Sequence, residues 1–109
     1  MEPDAAIIAL SALAQPTRLE AFRLLVRNMP QGLPAGDIAQ ALGAPANTMS
    51  AHLAVLARAG LVSAERRSRS IIYRVELGQI QALTLFLLKD CCQGRAEVCG
   101  PLVSELATC

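Results

Sequence analysis

Four cysteines stand in the last nineteen residues of this 109-residue chain: Cys91, Cys92, Cys99 and Cys109. Cys91 and Cys92 are neighbours, Cys99 follows seven residues after the pair, and Gly94 lies between to bend the chain back, so that three thiolates can converge. Successive residues on a helix point about 100° apart, so the sulfurs of an adjacent pair can meet one ion only where a helix ends. Soft thiolates select soft ions, and a cluster with no histidine and no grouped carboxylates is a poor match for hard cations. Trivalent arsenic or antimony suits three sulfurs. Other chemistries stay open at this point. Reduced cysteine is often a small buried hydrophobe. A structural zinc would want four ligands and so Cys109 as well, and a redox pair could be built from Cys92 and Cys99 with Lys89 and Arg95 nearby to favour the thiolate.

A second group of residues suits a different chemistry. Asn47, Thr48, Ser50 and His52 place polar side chains along a helical stretch whose inward positions are Met49 and Leu53, which leaves the polar residues on the outer side. A helix that enters the major groove of DNA needs such residues in its N-terminal half. Asn47 or Thr48 could equally cap a helix, and His52, the single histidine, suits a phosphate or base contact better than lone metal ligation. Downstream, Arg66, Arg67 and Arg69 crowd the segment RRSRS, where guanidiniums could straddle phosphates or enter a minor groove. The net charge of +1 argues against indiscriminate nucleic-acid binding, yet five of the ten cations fall between residues 58 and 74, which makes a patch.

The elements that must position these residues follow from periodicity and punctuation. Leu and Ala dominate an apolar share of 53%, with two Phe, one Tyr and no Trp, which favours helices packed on helices in a single domain. Ile7, Ile8, Leu10 and Leu13 make a short amphipathic stretch that ends at Gln15-Pro16, and Leu19, Phe22, Leu25 and Val26 carry the apolar face of a second helix. A short third helix is predicted from about Pro34 to Leu42, closed by Gly43, then a tight turn and a fourth helix that Gly60 ends with a left-handed cap. Two helices joined by so short a turn are a helix-turn-helix candidate. Leu61 to Ala64 and Ile71 to Val75 read as strands of a hairpin with an arginine tip. Leu77 to about Asp90 reads as a long apolar helix in need of a partner, and Pro101 as the opening of a last short helix.

The blocks LAQPTRLEAFRLL, DIAQALGAPANTMSAHLAVLARAGLV and ERRSRSIIYRV, in this order, resemble the ArsR/SmtB family of bacterial metal-responsive repressors across roughly residues 5 to 90. The resemblance implies a mainly α fold with a small β-hairpin, a winged helix-turn-helix homodimer with dimerisation helices at both ends of one domain spanning 1–109. It also implies binding to double-stranded operator DNA through a recognition helix at 47 to 59, with Asn47, Thr48, Ser50, Ala51 and His52 on it, and through a wing that carries Arg66, Arg67 and Arg69. DIAQALG lacks the cysteines that many arsenic-responsive members carry, and the long helix lacks the histidines of zinc sensors. The chain is similar instead to members with an arsenite site after the last long helix, which assigns the metal-ligand role to Cys91, Cys92 and Cys99, with arsenite or antimonite as inducer and no organic cofactor. The expectation is a repressor released by a trivalent metalloid, the alternative being a regulator that senses thiol redox state or another soft metal. No C-x-x-C or phosphate loop points to an enzyme. The acidic start MEPDAAIIALSALAQ and the lack of a long apolar run point to a cytoplasmic protein without a membrane partner.

Overall fold

The computed structural model describes residues 1–89 and 96–107. Six helices and three strands follow one another as α1 (Pro3–Leu13), α2 (Pro16–Arg27), β1 (Leu33–Pro34), α3 (Ala35–Leu42), α4 (Ala46–Arg58), β2 (Val62–Arg67), β3 (Ser70–Val75), α5 (Leu77–Leu88) and α6 (Ala96–Ala107). Proline sits in the first turn of both α1 and α2, where its missing N–H is no loss. At α2 the side chain of Gln15 completes the cap by accepting from the Arg18 N–H at 2.8 Å.

The core forms where α2, α3 and α4 converge. Leu25, Ile38, Met49, Leu53, Leu56 and Leu61 are fully buried there, and no polar side chain among the described residues is buried with them. Gly43 ends α3 with φ 66°, and the Ala44 N–H reaches back to the Ala39 carbonyl at 3.0 Å, so the chain reverses within three residues before α4. Gly60 does the same after α4 with φ 78°, and the Leu61 N–H closes the turn on the Leu56 carbonyl at 3.0 Å.

The hairpin pairs Val62 with Val75 through to Arg67 with Ser70, which leaves Ser68 and Arg69 as a two-residue turn with Ser68 at φ 58°. Such a turn matches the twist of its strands. The sheet has a third strand that the sequence did not announce. Leu33 and Pro34 pair antiparallel with Tyr73 and Ile72, giving the order β1-β3-β2 and joining the segment before α3 to the hairpin. Gly32, at φ 77°, lets the chain pass so close to β3 that a Cβ there would collide with the Tyr73 carbonyl and the Arg74 side chain.

Three expectations are corrected. Leu19 and Val26 are exposed; Ala21, Phe22 and Leu25 form the buried face of α2, because the helix packs against its neighbours along a narrower stripe than its apolar residues span. In α1 the inward face is Ala6, Ala9 and Ala12, while Ile7, Ile8 and Leu10 are 61%, 56% and 42% exposed, since the close approach to α2 and α4 admits only methyl-sized side chains. Finally, α6 begins at Ala96, and Pro101 lies inside it. Glu97, whose carbonyl loses its partner there, is exposed, so water can take the bond.

Candidate nucleic-acid interface and thiol cluster

α4 places Asn47, Thr48, Ser50 and Ala51 on its exposed side, with Met49 and Leu53 at zero exposure beneath them. The helix starts one residue before Asn47, and its cap, Pro45, offers no side-chain bond. Asn47 takes over part of that role from within the first turn, its Oδ1 accepting the Thr48 N–H at 2.9 Å. His52 is half-buried, with Nδ1 at 3.5 Å from an Arg18 guanidinium nitrogen. The far end of α4 is fixed by α5, whose Gln79 donates to the Ala59 carbonyl at 3.3 Å.

On the hairpin, Arg66, Arg67 and Arg69 are all exposed. They are not equivalent. Arg67 lies 3.4 Å from Glu65, which also accepts a 2.5 Å bond from Arg74, whereas Arg66 and Arg69 take no part in the salt bridges found among the described residues. The Arg74 hydrogen bond, and then the charge of Arg67, hold the Glu65 carboxyl below its ordinary value. Glu65 therefore links β2 to β3 and offsets part of the positive charge of Arg67 and Arg74, while Arg66 and Arg69 stand outside these bridges.

Of the four cysteines, only Cys99 lies among the described residues. Cys91 and Cys92 lie outside the described residues, as does Cys109. Cys99 is half-buried on α6, in the wall of a groove of about 1030 Å³ between α5 and α6 that Leu85, Phe86, Leu88, Leu102 and Leu106 also line. No group of three potential ligands is found among the described residues.

Sequence reasoning passed over two residues that the geometry brings into the site. Glu65 was adjacent to the basic run but of the wrong sign for it. Arg18 is one of several charged residues along α2, and no local pattern could place it against a histidine 34 residues away.

A family model described as a helix-turn-helix domain matches residues 13–63, the segment from the end of α1 to the start of β2. The HTH-type transcriptional regulator NmtR of Mycobacterium tuberculosis is 45% identical over 64 residues, 59% of this chain. That match spans only about half of NmtR, 51% of its length. A possible transcriptional regulatory protein from Mycobacterium bovis, in a crystal structure of its fragment 1–100, superimposes with a TM-score of 0.63 at 31% identity, covering 78% of this chain and 89% of that one. In solution that fragment is a homodimeric winged helix-turn-helix DNA-binding domain from a possible ArsR-family transcriptional regulator. The present chain belongs to the ArsR/SmtB family of winged-helix regulators. Within that family, α3 and α4 are its helix-turn-helix and β2–β3 its wing. A further ArsR/SmtB-like structure, the AntR antimony-specific transcriptional repressor, matches with a TM-score of 0.60 at 30% identity, covering 74% of this chain and 72% of AntR.

Proposed function

We propose that this chain is a homodimeric repressor that binds operator DNA through α4 and the wing, and leaves it when arsenite or antimonite binds Cys91, Cys92 and Cys99. The observation that carries the reading is the presence of two exposed surfaces on adjoining elements, since β2 follows α4 and packs against it: the outer face of α4, bearing Asn47, Thr48, Ser50 and Ala51, and the wing, bearing Arg66 and Arg69. The first suits base edges and the second phosphates or a minor groove. A second copy of the chain is supported by apolar side chains on α1, α5 and α6 that are more than half exposed, among them Ile7, Ile8, Leu85, Leu87 and Val103. Dimeric readers of this kind meet two half-sites about 34 to 36 Å apart.

The metalloid half of the proposal rests on the softness of three thiols and on the likeness to AntR. A metalloid can release DNA only by preferring a dimer geometry that fits the operator poorly. Closing Cys91, Cys92 and Cys99 around an ion just beyond α5 would act on that helix and, through Gln79, on the end of α4. A gel shift against a duplex selected from a random library, run with arsenite, antimonite, zinc, copper and hydrogen peroxide, tests the whole reading. Release by arsenite or antimonite alone supports it. Release by peroxide alone makes the protein a redox sensor, and absence of binding removes the DNA-binding half.

A further inference from the structure

Arg18 makes four bonds that no pattern in the sequence would suggest. Its backbone N–H is held by Gln15, its Nε donates to the Ala12 carbonyl at 2.6 Å, one terminal nitrogen lies 3.4 Å from the Ser11 carbonyl, and the other lies 3.5 Å from His52 Nδ1. Ser11 and Ala12 end α1, Arg18 is in the first turns of α2, and His52 sits midway along α4. One guanidinium thus ties together the end of an outer helix, the start of the next and the helix proposed to read DNA.

The chemistry of the pair fixes more than position. A guanidinium has five N–H donors and no acceptor. His52 Nδ1 must therefore be the accepting nitrogen, and a neutral ring accepting at Nδ1 carries its proton on Nε2. We infer that Arg18 is a positioning residue for DNA recognition: it sets the place and the tautomer of His52, so that the ring offers DNA a donor at Nε2. The partner is then a hydrogen-bond acceptor, either a purine N7 in the major groove or a phosphate oxygen. The inference rests on the reading of α4 as the recognition helix, and Arg18 itself need not touch DNA.

The test uses the native chain and the variants Arg18→Met, Arg18→Lys, His52→Ala and the Arg18→Met/His52→Ala double variant. Each is titrated against a duplex selected by the native protein and a scrambled duplex of equal length, over a range of salt. Arg18→Met is expected to weaken the selected duplex about tenfold, the scale of a lost charge-assisted hydrogen bond, with the scrambled duplex and the salt slope unchanged. The double variant is expected to lose no more than about twofold beyond the weaker single one, because the two residues act as a unit. Arg18→Lys keeps the charge but not the planar fork and is expected not to restore affinity. A salt slope lowered by about one in Arg18→Met would make Arg18 a phosphate contact and overturn the inference; so would losses that multiply in the double variant.

Because His52 is the only histidine, its ring nitrogens give a single pair of resonances in nitrogen-15 spectra of the DNA-free protein. The Nδ1 resonance is expected to move in Arg18→Met, and an unmoved resonance would remove the contact even if one variant were too unstable for binding work. If the native protein prefers no duplex, the reading of α4 fails while this spectrum still reports on the Arg18–His52 contact. Duplexes carrying 7-deazapurines separate the two acceptors: sensitivity to His52→Ala that disappears with them assigns the donor to N7, and sensitivity that persists assigns it to phosphate. Tighter binding by His52→Ala than by the native chain would overturn both.

Discussion

At the scale of single residues, the wing arginines divide by what already holds them. Arg67 is partnered by Glu65, whereas Arg66 and Arg69 have no such bridge among the described residues. Replacing Arg69 with Ala is expected to lower the salt slope of DNA binding by about one and to weaken all sequences alike; Arg67→Ala is expected to do less, because part of its charge is already answered. Salt titrations of both variants check this. Glu65 also sets an acid limit. Its carboxyl pKa is depressed by Arg74 and Arg67, so the stabilisation it gives the hairpin is fully present above the ordinary glutamate value of 4.5 and is lost as pH falls through the lowered one. Between pH 5 and 8 the wing's cross-strand resonances should therefore hold still, and movement in that window would contradict the assignment. At the thiols, Ser in place of Cys91, Cys92 or Cys99 is expected to leave operator affinity intact and abolish metalloid-triggered release, which a gel shift with arsenite reads directly. Unchanged release in all three would remove the site.

Among the elements, the helix-turn-helix was the most legible part of the chain, because Asp37, Gly43, Pro45 and Gly60 punctuate two helices whose apolar spacing is regular. Punctuation acts locally, so local sequence can show it. β1 could not be read that way: it is two residues long, one of them proline, and exists only because Ile72 and Tyr73 lie alongside. The start of α6 was hidden for the opposite reason, since Pro101 is a common helix opener and here stands in the interior. The face of α4 was legible residue by residue, but the clamp on His52 was not, being a contact between distant parts of the chain. Two variants test how these elements hold the site. Leu53→Ala, at zero exposure beneath the polar face of α4, is expected to cost about 2–5 kcal/mol in urea unfolding. Gly32→Ala is expected to lower the melting temperature and disturb the wing together, since the added methyl meets β3 itself.

On the scale of the whole molecule, the radius of gyration of 15.5 Å exceeds the roughly 13 Å of a compact chain of this length, and the body extends 50 Å along its longest axis. A single copy leaves Leu85 at 70%, Val103 at 62% and Ile7 at 61% exposure. Periodicity marks α1 and α5 as apolar helices without revealing which of their side chains face the core, because a stripe bound for the core and one bound for another subunit look alike in sequence. Charge placed on the stripe separates the two: Leu85→Glu is expected to yield monomers in sedimentation velocity with the fold retained by circular dichroism, and with operator affinity reduced at least tenfold because two half-sites are no longer joined. A dimer that survives this change would move the interface elsewhere.

The inverted helix α1 carries this furthest. Its alanines, Ala6, Ala9 and Ala12, are buried against the rest of the fold, while its isoleucines are more than half exposed. Selection on the two sides is therefore separable. The inner side tolerates almost no growth, since a larger residue would push the helix outward and carry the Ser11 and Ala12 carbonyls away from Arg18. The outer side can drift in shape without cost to the monomer, so duplicated copies of such a chain could lose the ability to pair with one another while each kept its fold, its clamp and its grip on DNA.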